Sequence, residues 1–554
     1  MPQDAFTLNF ISKELASLLT GGKISKITQQ GKDLLTFIIY TRKGSVKLEI
    51  CLSAKGCRVN LSDGEVIAPK VAPGFCMLLR KHLQNAEITR VGQVDGERII
   101  FFDFDCTSEF ELTKMTLYAE LMGKYSNAVL TQNGVIVGAL KSTAIGESTK
   151  RVLFTGAKYT LPEPQDKIEP NDLKGIKELF ENRAGDRAKI IADGVRGVSY
   201  ATALDILTAY GEEVSAEQAF NYLNSKDIEP CVVFADGEPI DFKVRSFSTD
   251  KKLYGDILSA QTAYYARVTE KANFADKVRK LQGALSSSVK KLEKRRAVME
   301  QKLLDCDGLE NIKLKGELIT ANIYLIERGA ESFEAVNYYD EAGAKIKIAL
   351  DRSLSPADNA QKYFKRYAKL KRTVTSVTEQ KRETEERLNY LYSISSHLNL
   401  AENLCDLEEI EEELKILNIL KDDKKDKKKV EKTLPFRSFV CGGFRIIAGR
   451  NNVQNDRLLK SLAPDDLWLH TQGYHSAHVG IICGGKTVPD EVLKTACEIC
   501  AFYSDGRYGT KIPVDYVKRA QVKKPPKANA GFVIYNGYKT ALAEPNAHAG
   551  LRQE

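Results

Sequence analysis

No apolar stretch in this chain approaches the ~18–20 residues that span a bilayer, so a transmembrane helix is not expected. The opening residues, MPQDAFTLNF, offer neither a basic leader nor the apolar core of a signal peptide, so export is not expected either. Its 11 cysteines are scattered without paired spacing, and free thiols in a reducing cytoplasm are the expectation. Cys497 and Cys500 have CxxC spacing, but no second pair accompanies them and the segment reads as helix. Zinc needs three or four ligands at dedicated spacing, and no HExxH is present, so no metal site is assigned. A hydrolase triad would need a nucleophile elbow, and none is found. No catalytic residue and no cofactor is assigned. Charge of one sign is also missing: 82 basic against 74 acidic residues leave a net +8, so distribution matters more than the sum.

What is present is ample apolar material, 43% of 554 residues, enough for several packed cores. The patterning predicts an α+β multidomain chain. Residues 1–170 read as a sheet-rich domain, with strand-like runs punctuated by Gly21-Gly22, Gly31 and Lys43-Gly44. Asn133-Gly134 is a two-residue hairpin signal, and a second hairpin crosses Asp95-Gly96-Glu97. A short amphipathic helix over 75–83 carries Arg80, Lys81 and His82. Residues 171–228 turn helical. Gly194-Val-Arg-Gly197 between two short helices resembles a helix-hairpin-helix, and a plain helix junction reads equally well.

Residues 229–256 are a connector. Over 257–432, Val278, Leu281, Leu285, Leu292 and Met299, then Tyr367, Leu370, Val374, Val377, Leu388, Leu391 and Leu398, fall on a 3–4 alternation. That period predicts a long antiparallel coiled-coil arm. A small α/β tip is expected at about 311–355. An acidic patch over 408–413 and a basic linker end the arm; the linker has seven lysines against four acids over 421–432. Residues 433–554 form a C-terminal α+β domain.

That last domain holds the stretch DDLWLHTQGYHSAHVGII, 465–482, with the only tryptophan and three of the six histidines. Strand alternation sets Asp466, Trp468 and His470 on one face. Arg450, Asn451 and Asn452 precede it, and Lys523, Lys524 and Lys527 follow within a segment of six basic residues and one acid, 511–527. Aromatic, amide and basic groups together suit an RNA surface. Trp468 as a plain core residue stands beside that reading. In the N-terminal domain, Glu97-Arg98 and the loop Glu120-Leu-Met-Gly123 read either as ordinary turns or as functional points. Arg80 and Lys81 are possible RNA contacts.

Several long motifs, in order, give the chain a family resemblance. GRNNVQND (449–456), DLWLH (466–470), KTACEICAFYS (494–504), VKKPPKANAGFVIY (522–535), FCMLLRKHL (75–83) and ELMGKYSNAVL (120–130) resemble the NFACT family of ribosome-associated quality-control proteins, which includes bacterial RqcH. Older names in that family call it fibronectin-binding. The resemblance implies a cytoplasmic factor that binds a large ribosomal subunit still holding peptidyl-tRNA. It implies recruitment of charged tRNA, in bacteria tRNA-Ala, and templateless extension of the stalled chain. The ribosome would make the peptide bond, so the factor is elongation-like and not an enzyme. The small RNA-binding protein RqcP is the implied partner. The family's acidic-Arg pair for tRNA handling falls on Glu97 and Arg98; glutamate replaces the usual aspartate, keeping the charge and lengthening the reach. Its Asp-x-Trp-x-His motif falls on Asp466, Trp468 and His470. Two competing readings are a surface adhesin, which needs export, and a glycosylase-like enzyme, which needs an acid after Pro2 where Gln3 stands.

Overall fold

The computed structural model describes residues 3–553 except 65, 67–68, 70, 108–111, 144–150, 164, 184, 341–342 and 422–433. Pro2 and nearly all of the basic linker lie outside the described residues. The chain divides into two compact units, Met1–Ala272 and Asn273–Glu554.

In the first unit, α1 (Ala5–Leu19) leads into β1 (Lys23–Gln30), β2 (Leu34–Thr41), β3 (Gly44–Cys51) and β4 (Arg58–Leu61). After α2 (Gly74–Leu83) come β5 (Glu87–Gln93), β6 (Ile99–Thr107), β7 (Leu112–Glu120), β8 (Asn127–Gln132) and β9 (Val135–Ala139). They form one sheet of order β4-β3-β2-β1-β5-β6-β7-β8-β9, antiparallel at every pairing. Alternation in β2 buries Leu35, Phe37 and Ile39 on one face. Helix α1 lays Leu8, Ile11, Leu15 and Leu19, spaced at helical period, into the same core. The Asn133-Gly134 turn takes φ of 50° and 79°, the left-handed pair that a tight hairpin requires.

Four short helices follow: α3 (Leu173–Asn182), α4 (Arg187–Gly194), α5 (Tyr200–Tyr210) and α6 (Ala216–Asn224). Each opens on a side-chain cap, from Asp172, Asp186, Ser199 and Ser215. Asp4 ties this group to α1: its carboxylate accepts from Ser199 N–H at 2.9 Å and from the Thr202 hydroxyl at 2.6 Å. The stretch read as a connector folds into a small sheet of β10 (Cys231–Ala235), β11 (Glu238–Lys243) and β12 (Lys251–Leu253). Its Val232, Phe242 and Val244 join the core of the large sheet. Helix α7 (Ile257–Leu304) starts there, and the Glu14 carboxylate accepts from both Ile257 and Leu258 N–H at 3.1 Å.

In the second unit, α8 (Leu309–Ala321) precedes the hairpin β13 (Ser332–Val336) and β14 (Lys345–Ala349), which share a core of Leu318, Ile319, Ala335 and Ile348. Then come α9 (Pro356–Asn399) and α10 (Leu404–Ile416). Helices α7 and α9 run antiparallel: Leu281 and Leu285 share a core with Leu391, Ile394 and Leu398. Further along, Glu293 accepts from Tyr392 at 2.8 Å and Glu300 pairs with Lys381 at 3.2 Å.

The C-terminal domain has β15 (Arg437–Cys441), β16 (Phe444–Ala448), α11 (Asn452–Ser461), β17 (Leu467–Thr471), β18 (Val479–Ile482), α12 (Asp490–Phe502), β19 (Ile512–Lys518), β20 (Val522–Lys523), β21 (Ile534–Tyr535), β22 (Lys539–Ala543) and β23 (Arg552–Gln553). The main sheet has the order β22-β19-β17-β18-β16-β15-β23, with β20 and β21 as a separate ribbon. Helix α12 covers one face through Val492, Ala496, Ile499 and Cys500. Helix α11 covers the other through Leu458, Leu459 and the cap residue Leu462. Among the described residues no helix is long and apolar enough to cross a membrane.

Candidate nucleic-acid interface

Strand β17 sorts its side chains by the two-residue period. Leu469 faces the α12 core, and Trp468 packs in the α11 core on the opposite face. The Trp468 and His470 rings stack, with centroids 5.7 Å apart and planes 3° from parallel. His478 meets the indole edge-on at 5.1 Å, and Tyr535 closes on it at 4.8 Å. Trp468 is fully buried. Asp466, expected on the same face, lies just ahead of the strand. It is committed to backbone, accepting from Ala463 and Cys483 N–H at 2.7 Å each. It therefore closes the turn into β17.

Beside these rings lies a cleft of about 980 Å³. Its walls are Tyr390, Ser393 and His397 of α9, the 470–478 segment, and the loop 525–533. That loop is held down at Gly531, whose N–H donates to Asp456 at 3.0 Å. Gly531 has φ +76°, and a Cβ there would stand 2.8 Å from the Asn452 amide oxygen, so the approach needs glycine. Lys524 is ion-paired with the same Asp456. Lys523 and Lys527 are exposed, the latter in a left-handed conformation with φ 64° at the cleft edge. The histidines here are neutral: desolvation lowers His470 to about 4 and His397 to about 3, and holds His478 well below its ordinary value.

Of Arg450, Asn451 and Asn452, only Asn452 lines this cleft. All three pin the C-terminal domain to α9 and α10. Arg450 donates to Asp406 at 3.0 Å and to the Pro435 carbonyl at 3.1 Å. Asn451 caps α11, accepting from Gln454 N–H at 2.8 Å, while its amide donates to Glu409 at 2.5 Å. Asn452 donates to Ser393 at 3.0 Å and Glu413 at 3.1 Å. Burial raises the Glu413 pKa, against hydrogen bonds from Tyr390 and Asn452 that lower it. The acidic patch of the sequence is thus the socket for the GRNN turn.

In the first unit Glu97 is half-buried, and Arg196 of the glycine-flanked junction donates to it at 3.0 Å and to Glu169 at 2.6 Å. Arg196 was not singled out from sequence; its position between Gly194 and Gly197 was the available signal. Arg98 is half-buried beside Glu97, and its carbonyl accepts from Leu121 N–H at 2.8 Å. Glu120 is fully buried and takes a two-pronged Arg151 contact at 3.0 and 2.6 Å plus the Tyr159 hydroxyl at 2.8 Å. Arg80 donates to the Ile27 carbonyl at 2.7 Å, whereas Lys81 is exposed. Gln3 is buried and exchanges two 3.1 Å hydrogen bonds with the Val59 backbone.

The C-terminal α+β domain thus carries an aromatic cleft with neutral histidines and Lys527 at its rim. Residues 435–537 match the family model described as NFACT protein RNA binding domain. Residues 4–433 match that of the NFACT N-terminal and middle domains, and the chain belongs to the NFACT family. It is 30% identical over 562 residues to the Rqc2 homolog RqcH of Bacillus subtilis, covering 98% of each chain. The archaeal Rqc2 homolog aRqcH of Methanocaldococcus jannaschii is 23% identical over 592 residues, covering 95% of this chain and 84% of that one. Among solved structures, the C-terminal part of the fibronectin/fibrinogen-binding protein from Streptococcus suis matches with 28% identity and a TM-score of 0.41, covering 50% of this chain and 99% of that one.

Proposed function

We propose that this chain is a cytoplasmic ribosome quality-control factor that binds obstructed large ribosomal subunits carrying peptidyl-tRNA and directs mRNA-independent tailing of the stalled chain. The observation that carries the reading is the end-to-end similarity to Rqc2 homologs, spanning 98% of both chains in the Bacillus case. In this reading the C-terminal cleft with Lys523 and Lys527 meets RNA. Arg450 and Asn451 act indirectly by fixing that domain on α9 and α10, and Asn452 does the same while lining the cleft. The helix-hairpin-helix junction positions Glu97, through Arg196, for tRNA handling beside Arg98. The incoming tRNA is tRNA-Ala and the tail is alanine. The ribosome forms the peptide bond, and RqcP assists.

Arg98→Ala tests the division of labour. Tailing of a stalled reporter should be abolished while co-sedimentation with large subunits is kept; full tailing by the variant would overturn the assignment. Cell fractionation addresses the adhesin alternative, since a surface-exposed pool with no ribosome-associated pool would favour it.

A further inference from the structure

We propose that the cleft between α9 and the C-terminal sheet is a pocket for one unstacked RNA nucleobase, formed jointly by the domain and the helix on which it is seated. The proposal rests on the RNA-binding reading above and goes further by naming the ligand group and the residues that take it.

Two polar atoms in the cleft wall point to a ligand. Trp468 Nε1 and His478 Nδ1 have no hydrogen-bond partner among the described residues, on side chains that are 0% and 1% exposed. Such groups are ordinarily satisfied, so unpartnered ones in a cleft wall mark a place where something binds. The indole N–H is a donor. His478 is neutral and its ring engages the Gly531 and Asn455 backbones, while Nδ1 keeps no close hydrogen-bond partner among the described residues. The indole N–H suits an acceptor on the edge of a base, with the His478 ring 5.1 Å from the indole.

The rest of the cleft suits the same ligand. Its volume of about 980 Å³ admits a base with its sugar. Tyr474 and Phe532 line it and are 42% and 55% exposed, rings available for stacking. Arg382 is already held by Glu379 and Glu386, so Lys527 is the rim cation left for a phosphate. With its histidines neutral, the interior favours an uncharged aromatic plane over an anion. The α9 wall is built in because Asn452, itself part of the lining, donates to Ser393.

The test uses the full chain on purified large ribosomal subunits. The complex is irradiated with ultraviolet light, the RNA is digested, and peptide–nucleotide adducts are mapped by mass spectrometry. Adducts are expected on the peptides covering 470–478 and 525–535. Tyr474→Ala and Phe532→Ala change exposed side chains and should lower those adducts about tenfold or more. Lys494→Ala, on the exposed side of α12 away from the cleft, should leave them in place. Co-sedimentation with adducts only elsewhere, or adducts here that the two variants do not reduce, would overturn the pocket and leave RNA binding intact. Absence of both co-sedimentation and adducts would overturn the pocket and the functional reading together.

Discussion

Arg450 shows how a residue can be conspicuous in sequence and have its partners out of sight. Its motif stands out, but Asp406 and Glu402 lie more than 40 positions away, ahead of the acidic patch over 408–413. Asp406 is buried, and Arg450→Ala would leave its carboxylate only the Glu402 N–H at 2.9 Å and Arg437 at 4.0 Å, at a cost of about 2–3 kcal/mol. Denaturant unfolding followed by the fluorescence of Trp468 measures this directly, because the chain has one tryptophan. A loss below about 1 kcal/mol would contradict the structural role.

The histidines give a pH dependence at the same scale. His470, at about 4, and His397, at about 3, lie below the usual ~6.5. Burial is the main cause; Arg437 lowers His397 further, while Asp515 pulls His470 upward. Below pH ~6.5 the unfolded chain takes up protons that the folded chain refuses, so stability falls as pH drops from there toward 4. His470→Gln should remove about one proton from that slope, read as the denaturation midpoint against pH.

Among the elements, the legible ones were those with a clean period. The apolar positions on α7 and α9 were readable, and Leu281, Leu285, Leu388 and Leu391 are buried as expected. Thr384 interrupts the apolar period of α9, yet it is buried, its hydroxyl donating to the Gln380 carbonyl at 2.7 Å within its own helix. Helix α10 was missed because its acids hide an apolar stripe of Leu407, Ile410 and Leu414. Strands β10 to β12 were missed because they are short and gain their stability from a neighbouring core. Trp468 was ambiguous because burial and contact with the cleft are compatible for a large ring. Leu391→Ala removes a fully buried side chain from the α7–α9–α10 core and should cost about 2–5 kcal/mol in the same unfolding assay. Gly531→Ala should lift the loop 525–533 from Asn452, making limited proteolysis within it faster with little change in the unfolding midpoint.

At the scale of the whole molecule, a net charge of +8 implies modest overall attraction to RNA, with binding concentrated in local basic sites. Subunit binding should weaken steeply with salt, and Lys523→Ala with Lys527→Ala should flatten the log–log slope by about two. The most direct measurement is to purify the tagged chain from cells and sequence the RNA that accompanies it. Large-subunit ribosomal RNA with one dominant tRNA, tRNA-Ala, is the expected result. Large-subunit RNA without enriched tRNA would contradict tailing, and no RNA at all would contradict the ribosomal role itself.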